Sequence, residues 1–179
     1  MGSRCGESLD LAQLCGPAAV IDVRDVAGDG APGRSPWITA SRIQAWESRH
    51  GTLEPGDIVL FASGWSDQYR AGGAGRGYLQ GPAIEGGMPG WPAPDVEAIL
   101  YLADRGILTV GTEAASLGAV QDGAPVHLAG LGHGMHFIEG LCNLVGLPAL
   151  GAFFVFLPLK LVASTGCPGR AIALLAEAS

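Results

Sequence analysis

Apolar and polar positions fall in short blocks along this chain, and the spacing inside each block predicts an element. Ala18 to Val23, AAVIDV, is β-branched and apolar, which predicts a buried strand. Asp25 to Trp37 follows as a Gly/Pro-rich loop with an Asp-Gly turn signal. Thr39 suits the N-cap of a helix reaching about His50, with Ile43 and Trp46 on its apolar face and Gly51 closing it. Asp57 to Ser63, DIVLFAS, is apolar on both faces, as in a strand covered from two sides. Pro94-Asp95 opens a helix through Arg105, in which Val96, Ile99, Leu100 and Ala103 recur at helical spacing and Gly106 marks the end. Ile107 to Thr112 follows at once as a strand, a helix-to-strand unit of the kind found in α/β layers. Ala152 to Ala163 reads as a long strand bent or broken at Pro158, and AIALLAEA as a final strand or helix end.

Two stretches depart from this regularity. Ser66 to Pro92 is Gly-rich with Tyr69, Tyr78, Met88 and Trp91 interleaved, and a long aromatic-bearing loop in a compact domain predicts a pocket wall. Pro125 to Leu144, PVHLAGLGHGMHFIEGLCNL, holds three of the four histidines and one carboxylate, Glu139, in an otherwise apolar run. Such a charge is costly to desolvate unless hydrogen bonds, a cation or a metal compensates it.

Composition narrows the classes. The 179 residues predict a single domain, and with 48% hydrophobic and 15% charged residues it builds a sizeable core. A net charge of −7 without a basic stripe argues against nucleic acid or an anionic membrane as partner. Cys5, Cys15, Cys142 and Cys167 show no C-x-x-C spacing and read as free thiols of a reducing cytoplasm. No signal peptide opens the chain, and the longest apolar run, Leu150 to Leu159, is too short for a bilayer and contains Pro158. A cytoplasmic protein is expected.

His127 and Glu139, twelve positions apart, are the leading candidates for chemistry, because imidazole and carboxylate are ligands for a divalent cation. If MHFIEGL is a strand, Phe137 and Glu139 share one face and His136 points away. If it is a helix, His136 and Glu139 become neighbours, perhaps joined by His133. The Gly-flanked, β-friendly sequence suits the strand better. His133 between glycines is expected in a loop, and His50 ends a surface helix, where a cation complements the dipole. Glu113 and Ser116 lie just past the carboxyl end of the Ile107–Thr112 strand, the edge that open sheets use for sites. Trp65, Tyr69, Tyr78, Trp91, Glu113, Ser116 and His133 are the candidate substrate-pocket residues. No Gly-x-Ser-x-Gly surrounds Ser116, GAGRG at 73–77 lacks the strand and helix of a phosphate loop, and Cys142 reads as a buried apolar residue.

Taken in order, GPAAVIDV at 16–23, GDIVLFASGW at 56–65, LADRGILTVGTEAAS at 102–116, His127, FIEGLCNL at 137–144 and LPLKLVASTGCPGRAIAL at 157–174 resemble the cyclase family of metal-dependent hydrolases, the group with kynurenine formamidase and isatin hydrolase. The resemblance implies an α/β domain over 1–179 with a swivelling β/β/α fold and a mixed sheet. It implies hydrolysis of a small-molecule formamide or lactam, of the kind tryptophan catabolism uses, with manganese or zinc. It also places His127 and Glu139 on the family's second-half metal-ligand positions. Two positions depart from the family pattern: Glu113 stands where Asp is usual after Thr or Ile, and Gly140 where Asn commonly follows the glutamate. The family's H-x-G-T-H-x-D-x-x-x-H segment, source of the other ligands and of the acid-base histidine, has no counterpart here. Residues 1–15 therefore read as the remnant after that motif, in an N-terminally truncated chain that is expected to be incomplete or inactive as a hydrolase on its own, whose metal binding is weak or absent and whose exposed surface favours a homo-oligomer. Two alternatives remain open: a non-catalytic binding or oligomeric partner, and a biosynthetic cyclase-like protein, for example for polyketide ring closure.

Overall fold

β1 (Cys15–Asp22) is the hub of a six-stranded sheet. In the computed structural model, which describes residues 6–176, the elements after it are β2 (Trp37–Ile38), α1 (Ala40–His50), β3 (Ile58–Ala62), β4 (Ala93–Pro94), α2 (Val96–Asp104), β5 (Thr109–Thr112), α3 (Ala124–Gly132), β6 (His136–Ile138), β7 (Ala152–Pro158) and β8 (Gly169–Leu175). The sheet order is β6-β5-β3-β1-β7-β8, with β1, β3, β5 and β6 parallel and β7 and β8 antiparallel, while β2 and β4 form a separate parallel pair. This is the expected mixed α/β sheet. Cys5 and the residues after Ala176 lie outside the described range.

The two-residue period of the strands sorts side chains into two cores. Ala19, Ile21, Val59, Phe61 and Val110 face Ile43 and Trp46 of α1, Ala98, Ile99 and Leu102 of α2, and Val126 of α3. Ala18, Val20, Ile58, Leu60 and Ala62 face the other way, against Ile138, Leu141, Leu144, Ala152 and Phe154. All five residues of β3 are buried for that reason. The Trp46 indole N–H, which burial would otherwise leave unpaired, donates to the Val20 carbonyl at 3.0 Å and ties α1 to the sheet.

α1 and α2 match their sequence patterns closely. The Asp95 carboxylate accepts from the Ala98 amide at 2.7 Å, an N-cap bond, whereas the Thr39 hydroxyl sits at the N-cap but bonds Ser41 instead. β7 ends at Pro158 rather than bending there, and β8 is a strand. α3 is the unforeseen element, placing His127 on a helix and His133 at its C-cap. Between Trp65 and Ile84 the chain forms short 3-10 turns and one π turn. Cys15, Cys142 and Cys167 are free thiols, Cys142 exposed rather than buried, and no described helix is long and apolar enough to cross a membrane.

Candidate metal-ligand pair at the carboxyl edge

The four parallel strands end side by side, so the residues just beyond them, Ser63 after β3, Glu113 after β5 and Glu139 after β6, line one edge of the sheet. α3 lies across the end of this row on the helical side. Phe137 points toward that side and fills the space above Gly130, where even a Cβ would sit 2.2 Å from the ring. Glu139, two residues on, meets His127 there: Nε2 stands 3.3 Å from Oε1, and the Phe137 ring meets the His127 ring edge-on at 5.5 Å. His127 and Glu139 therefore come together.

The rest of the pair's hydrogen bonding decides what it can do. His127 Nδ1 is 2.9 Å from the Gly123 carbonyl, a bond that requires the proton on Nδ1. In the neutral ring, Nε2 then presents a lone pair to a carboxylate oxygen. Two acceptors at that distance repel unless a proton or a cation lies between them. The Leu117 amide donates to the same Oε1 at 2.9 Å and fixes the carboxylate. Carbonyl-oriented imidazole and amide-oriented carboxylate are the outer bonds that metal ligands commonly show. Two ligands of one tetrahedral ion stand roughly 3.3 Å apart, so the observed spacing fits a shared divalent cation. Both side chains are one-third exposed, which leaves the pair open to solutes. Among the described residues, no group of three or more His, Cys, Asp or Glu is placed to hold a metal, so the fit is that of a partial site.

The loop between β5 and α3 holds this geometry. A Cβ on Gly118 would lie 2.6 Å from Gly123 Cα and 2.9 Å from His127 Cε1, so only glycine permits the approach. The Gly118 carbonyl accepts from the buried Trp91 indole at 3.0 Å, and its amide donates to the Ser116 hydroxyl at 3.0 Å. Trp91 and Ser116 thus support the pair from behind.

Glu113 is 1% exposed and satisfied from all sides. Its carboxylate accepts from the amides of Ser63 at 2.9 Å, Gly64 at 2.5 Å and Leu144 at 3.2 Å, and from the hydroxyls of Ser63 and Ser66. Its own carbonyl accepts from the Tyr78 hydroxyl at 3.0 Å. Glu113 therefore binds together the loops that follow β3 and β6 rather than facing a substrate. The extra methylene of Glu over Asp is taken up in that reach.

The other candidates separate. Trp65 and Trp91 are packed in a small buried cluster with Ala93, Ala114 and Ala119, their rings 6.3 Å apart, and the Trp65 indole donates to the Tyr78 carbonyl. Tyr78 is partly buried beside them, and Tyr69, exposed, meets its ring edge-on at 5.0 Å. Burial first, then the neighbouring Tyr69, Glu139 and Glu113, push the Tyr78 hydroxyl up to about 12. His133 is exposed and bonds the Ala129 carbonyl through Nδ1. Six residues beyond His127 on the helix, it lies roughly 9 Å further along the axis. His136 donates from Nε2 to the Gln13 side chain at 2.9 Å, at the opposite end of β6 from Glu139. A surface cavity of about 590 Å³ beside α1, lined by Asp22, Arg24, Arg42, Arg49 and His50 among others, shares no residue with the pair.

Comparison with known proteins gives a consistent result. The Cyclase family model matches residues 2–119. Isatin hydrolase of Roseibium aggregatum is 32% identical over 177 residues, 96% of this chain and 64% of the relative. The chain thus spans a little under two thirds of that protein's length. The solved structure of an isatin hydrolase bound to the product analogue thioisatinate superposes with a TM-score of 0.83 at 30% identity, covering 99% of this chain and 66% of that one. A structure described as a potential metal-dependent hydrolase with cyclase activity superposes at 0.67 and 27% identity, over 94% of this chain and 69% of that one.

Proposed function

Since the chain belongs to the Cyclase family, we propose that it is a hydrolase of a small formamide or lactam, with a divalent cation, Mn²⁺ or Zn²⁺, held in part by His127 and Glu139. One observation carries this reading: the Gly123 carbonyl fixes the His127 tautomer so that Nε2 faces Glu139 Oε1 at 3.3 Å, an arrangement that a cation between the two would satisfy in place of a second proton on the imidazole. The thioisatinate-bound isatin hydrolase supports a cyclic amide as substrate class, and the neighbour described as metal-dependent supports the metal. A bound divalent cation supplies electrophilic activation of a carbonyl and of water.

The chain's own residues hold and orient. Leu117 and Gly123 fix the two ligands, the Phe137 edge restrains the imidazole, and the Glu113 cradle keeps the loops after β3 and β6 in register. Tyr78 remains a neutral phenol near pH 7 with its proton committed to the Glu113 carbonyl, so it forms a wall and transfers no proton. Of the other histidines, His133 and His136 are bonded elsewhere, and His50 stacks on Trp46. A catalytic site needs at least one protein donor more than this pair provides, so cation binding by this chain alone is weak.

Hydrolysis of isatin and of N-formylkynurenine, followed with and without added Mn²⁺ or Zn²⁺, tests the reading. Slow, metal-dependent turnover lost in His127→Ala and Glu139→Ala is the expected result. A second reading, a non-catalytic relative, is favoured by the lack of a three-ligand group among the described residues, and cation binding without any turnover would select it. Turnover that ignores both substitutions would sink the first.

A further inference from the structure

The two groups that orient the candidate ligands, the Leu117 amide on Glu139 and the Gly123 carbonyl on His127, sit at opposite ends of one loop, residues 117–123. Its middle is held from outside by Ser35, on the Gly/Pro-rich stretch ahead of β2. The Val120 amide donates to the Ser35 hydroxyl at 3.0 Å. The Gln121 side chain lies along the Ser35 backbone: Oε1 accepts from the Ser35 amide at 2.7 Å, and Nε2 donates to the Ser35 carbonyl at 3.3 Å. A primary amide carries both a donor and an acceptor, so it pairs with the N–H and C=O of one residue as a neighbouring strand would. Ser35 is buried, and a Cβ on Gly90 would lie 2.7 Å from Val120 Cγ2 and 2.8 Å from Ser35 Oγ, so three segments meet here at close range. Ser35 is anchored in turn by its neighbours, the Arg34 carbonyl accepting from the Gly90 amide at 2.9 Å and the Pro36 carbonyl from the Ala93 amide at 3.0 Å.

We propose that Gln121 and Ser35 are positioning residues for the His127–Glu139 pair, setting the loop that presents the Leu117 amide and the Gly123 carbonyl to it. They act at one remove, and the role presupposes that the pair holds a cation. Gly118 and Gly123 both lie in the loop, and glycine restrains a backbone least, so the loop's conformation depends on bonds from outside. Trp91 supplies one, to the Gly118 carbonyl, and Ser35 supplies three nearer to Gly123. The tolerance is small. The 2.9 Å bond from His127 Nδ1 to the Gly123 carbonyl is lost once it lengthens by about 0.5 Å, and the ring is then free to carry its proton on either nitrogen. A proton on Nε2 occupies the position that a shared cation requires.

Two variants of the full chain test this: Gln121→Met keeps the length of the side chain and removes both of its bonds, and Ser35→Ala removes the hydroxyl that holds Val120. Nitrogen-15 NMR of the imidazoles at about pH 8, where free histidine is neutral, reads the tautomer without any metal, the His127 signals being identified by their loss in His127→Ala. The wild-type proton is expected on Nδ1, and in both variants it spreads over the two nitrogens. Titrated Mn²⁺ or Zn²⁺ is expected to bind each variant roughly threefold to tenfold more weakly, a smaller loss than removing a ligand's direct partner brings. Glu47→Gln, which loosens the chain elsewhere, is the control and is expected to leave the His127 signals unchanged. Wild-type signals and affinity in both folded variants, or an equal displacement of the signals in Glu47→Gln, would overturn the role. A wild-type chain that binds no cation contradicts the metal reading of the pair instead, and the tautomer comparison still decides whether Gln121 and Ser35 set the ring.

Discussion

His127 and Glu139 meet acceptor to acceptor: the imidazole spends its Nδ1 proton on the Gly123 carbonyl, and the nitrogen left facing Oε1 has none to give in the neutral ring. The pair is therefore satisfied either by a second proton on the imidazole or by a cation between its members. Both side chains are one-third exposed, so part of the space that either would leave is open to solvent. His127→Ala and Glu139→Ala are expected to lower unfolding stability by about 1–2 kcal/mol, the latter chiefly through the Leu117 amide that loses its acceptor, while lowering divalent-cation affinity at least tenfold. Denaturant melts beside a metal titration check both halves of that statement.

Glu113 is the reverse case, a carboxylate whose contribution is to the fold. Glu113→Gln leaves its amide facing three backbone N–H groups, Ser63, Gly64 and Leu144, one of which must lose its acceptor. A loss of about 2–4 kcal/mol is expected, the cost of an unsatisfied buried group at a charge-assisted site. Chemical denaturation reads it. A neutral effect would mean that the loops after β3 and β6 are held by other contacts.

Two glycines near the pair separate by mechanism. Gly140 has φ +70°, the left-handed region that glycine enters freely and Asn tolerates, which is a physical reason for Asn being common there in the family. Gly140→Asn is expected to cost under about 1 kcal/mol and Gly140→Val about 1–2 kcal/mol. Gly118→Ala clashes with the Gly123 backbone and with His127, and is expected to cost about 1–3 kcal/mol and to weaken cation binding with it. Thermal melts of the three variants give the ranking.

Acid stability has a local source in Glu47, whose side chain is 8% exposed. Burial pushes its carboxyl up, but hydrogen bonds from Arg105 at 2.6 Å, from the Tyr101 hydroxyl and from the Leu53 amide outweigh it and hold the group below its ordinary 4.5. A carboxyl depressed in the folded state adds stability above its unfolded value, and that stability is lost as pH falls through the folded one. Glu47→Gln is expected to lower stability by about 1–3 kcal/mol at pH 7 and to flatten its fall below about pH 4.5. Unchanged steepness of the acid limb would place the acid-sensitive group elsewhere.

The parts of the fold with strong period were legible in the sequence. β3 showed its burial through IVLFA, and α2 through Val96, Ile99 and Ala103 behind the Asp95 cap. α3 was not, because Gly130 and Gly132 weaken its helical propensity and Leu128 and Leu131 face solvent, so its apolar residues mark no single face. At the site, the twelve-residue spacing of His127 and Glu139 was readable, and so was the orientation of His136 away from Glu139. Glu113 read as a substrate contact because its partners are mainly backbone amides some 30 to 50 residues away, which no side-chain pattern announces. Trp65 and Trp91 read as pocket walls for a similar reason: their partners are carbonyls of Tyr78 and Gly118, and burial turned them into support.

Direct titration of Mn²⁺ and Zn²⁺ into the wild-type chain, His127→Ala and Glu139→Ala bears most immediately on the proposed cation site. Weak, saturable binding of one equivalent by the wild type, at least tenfold weaker in each variant with folding intact, is the predicted result. Equal binding by all three chains, or none by the wild type at millimolar metal, would contradict it.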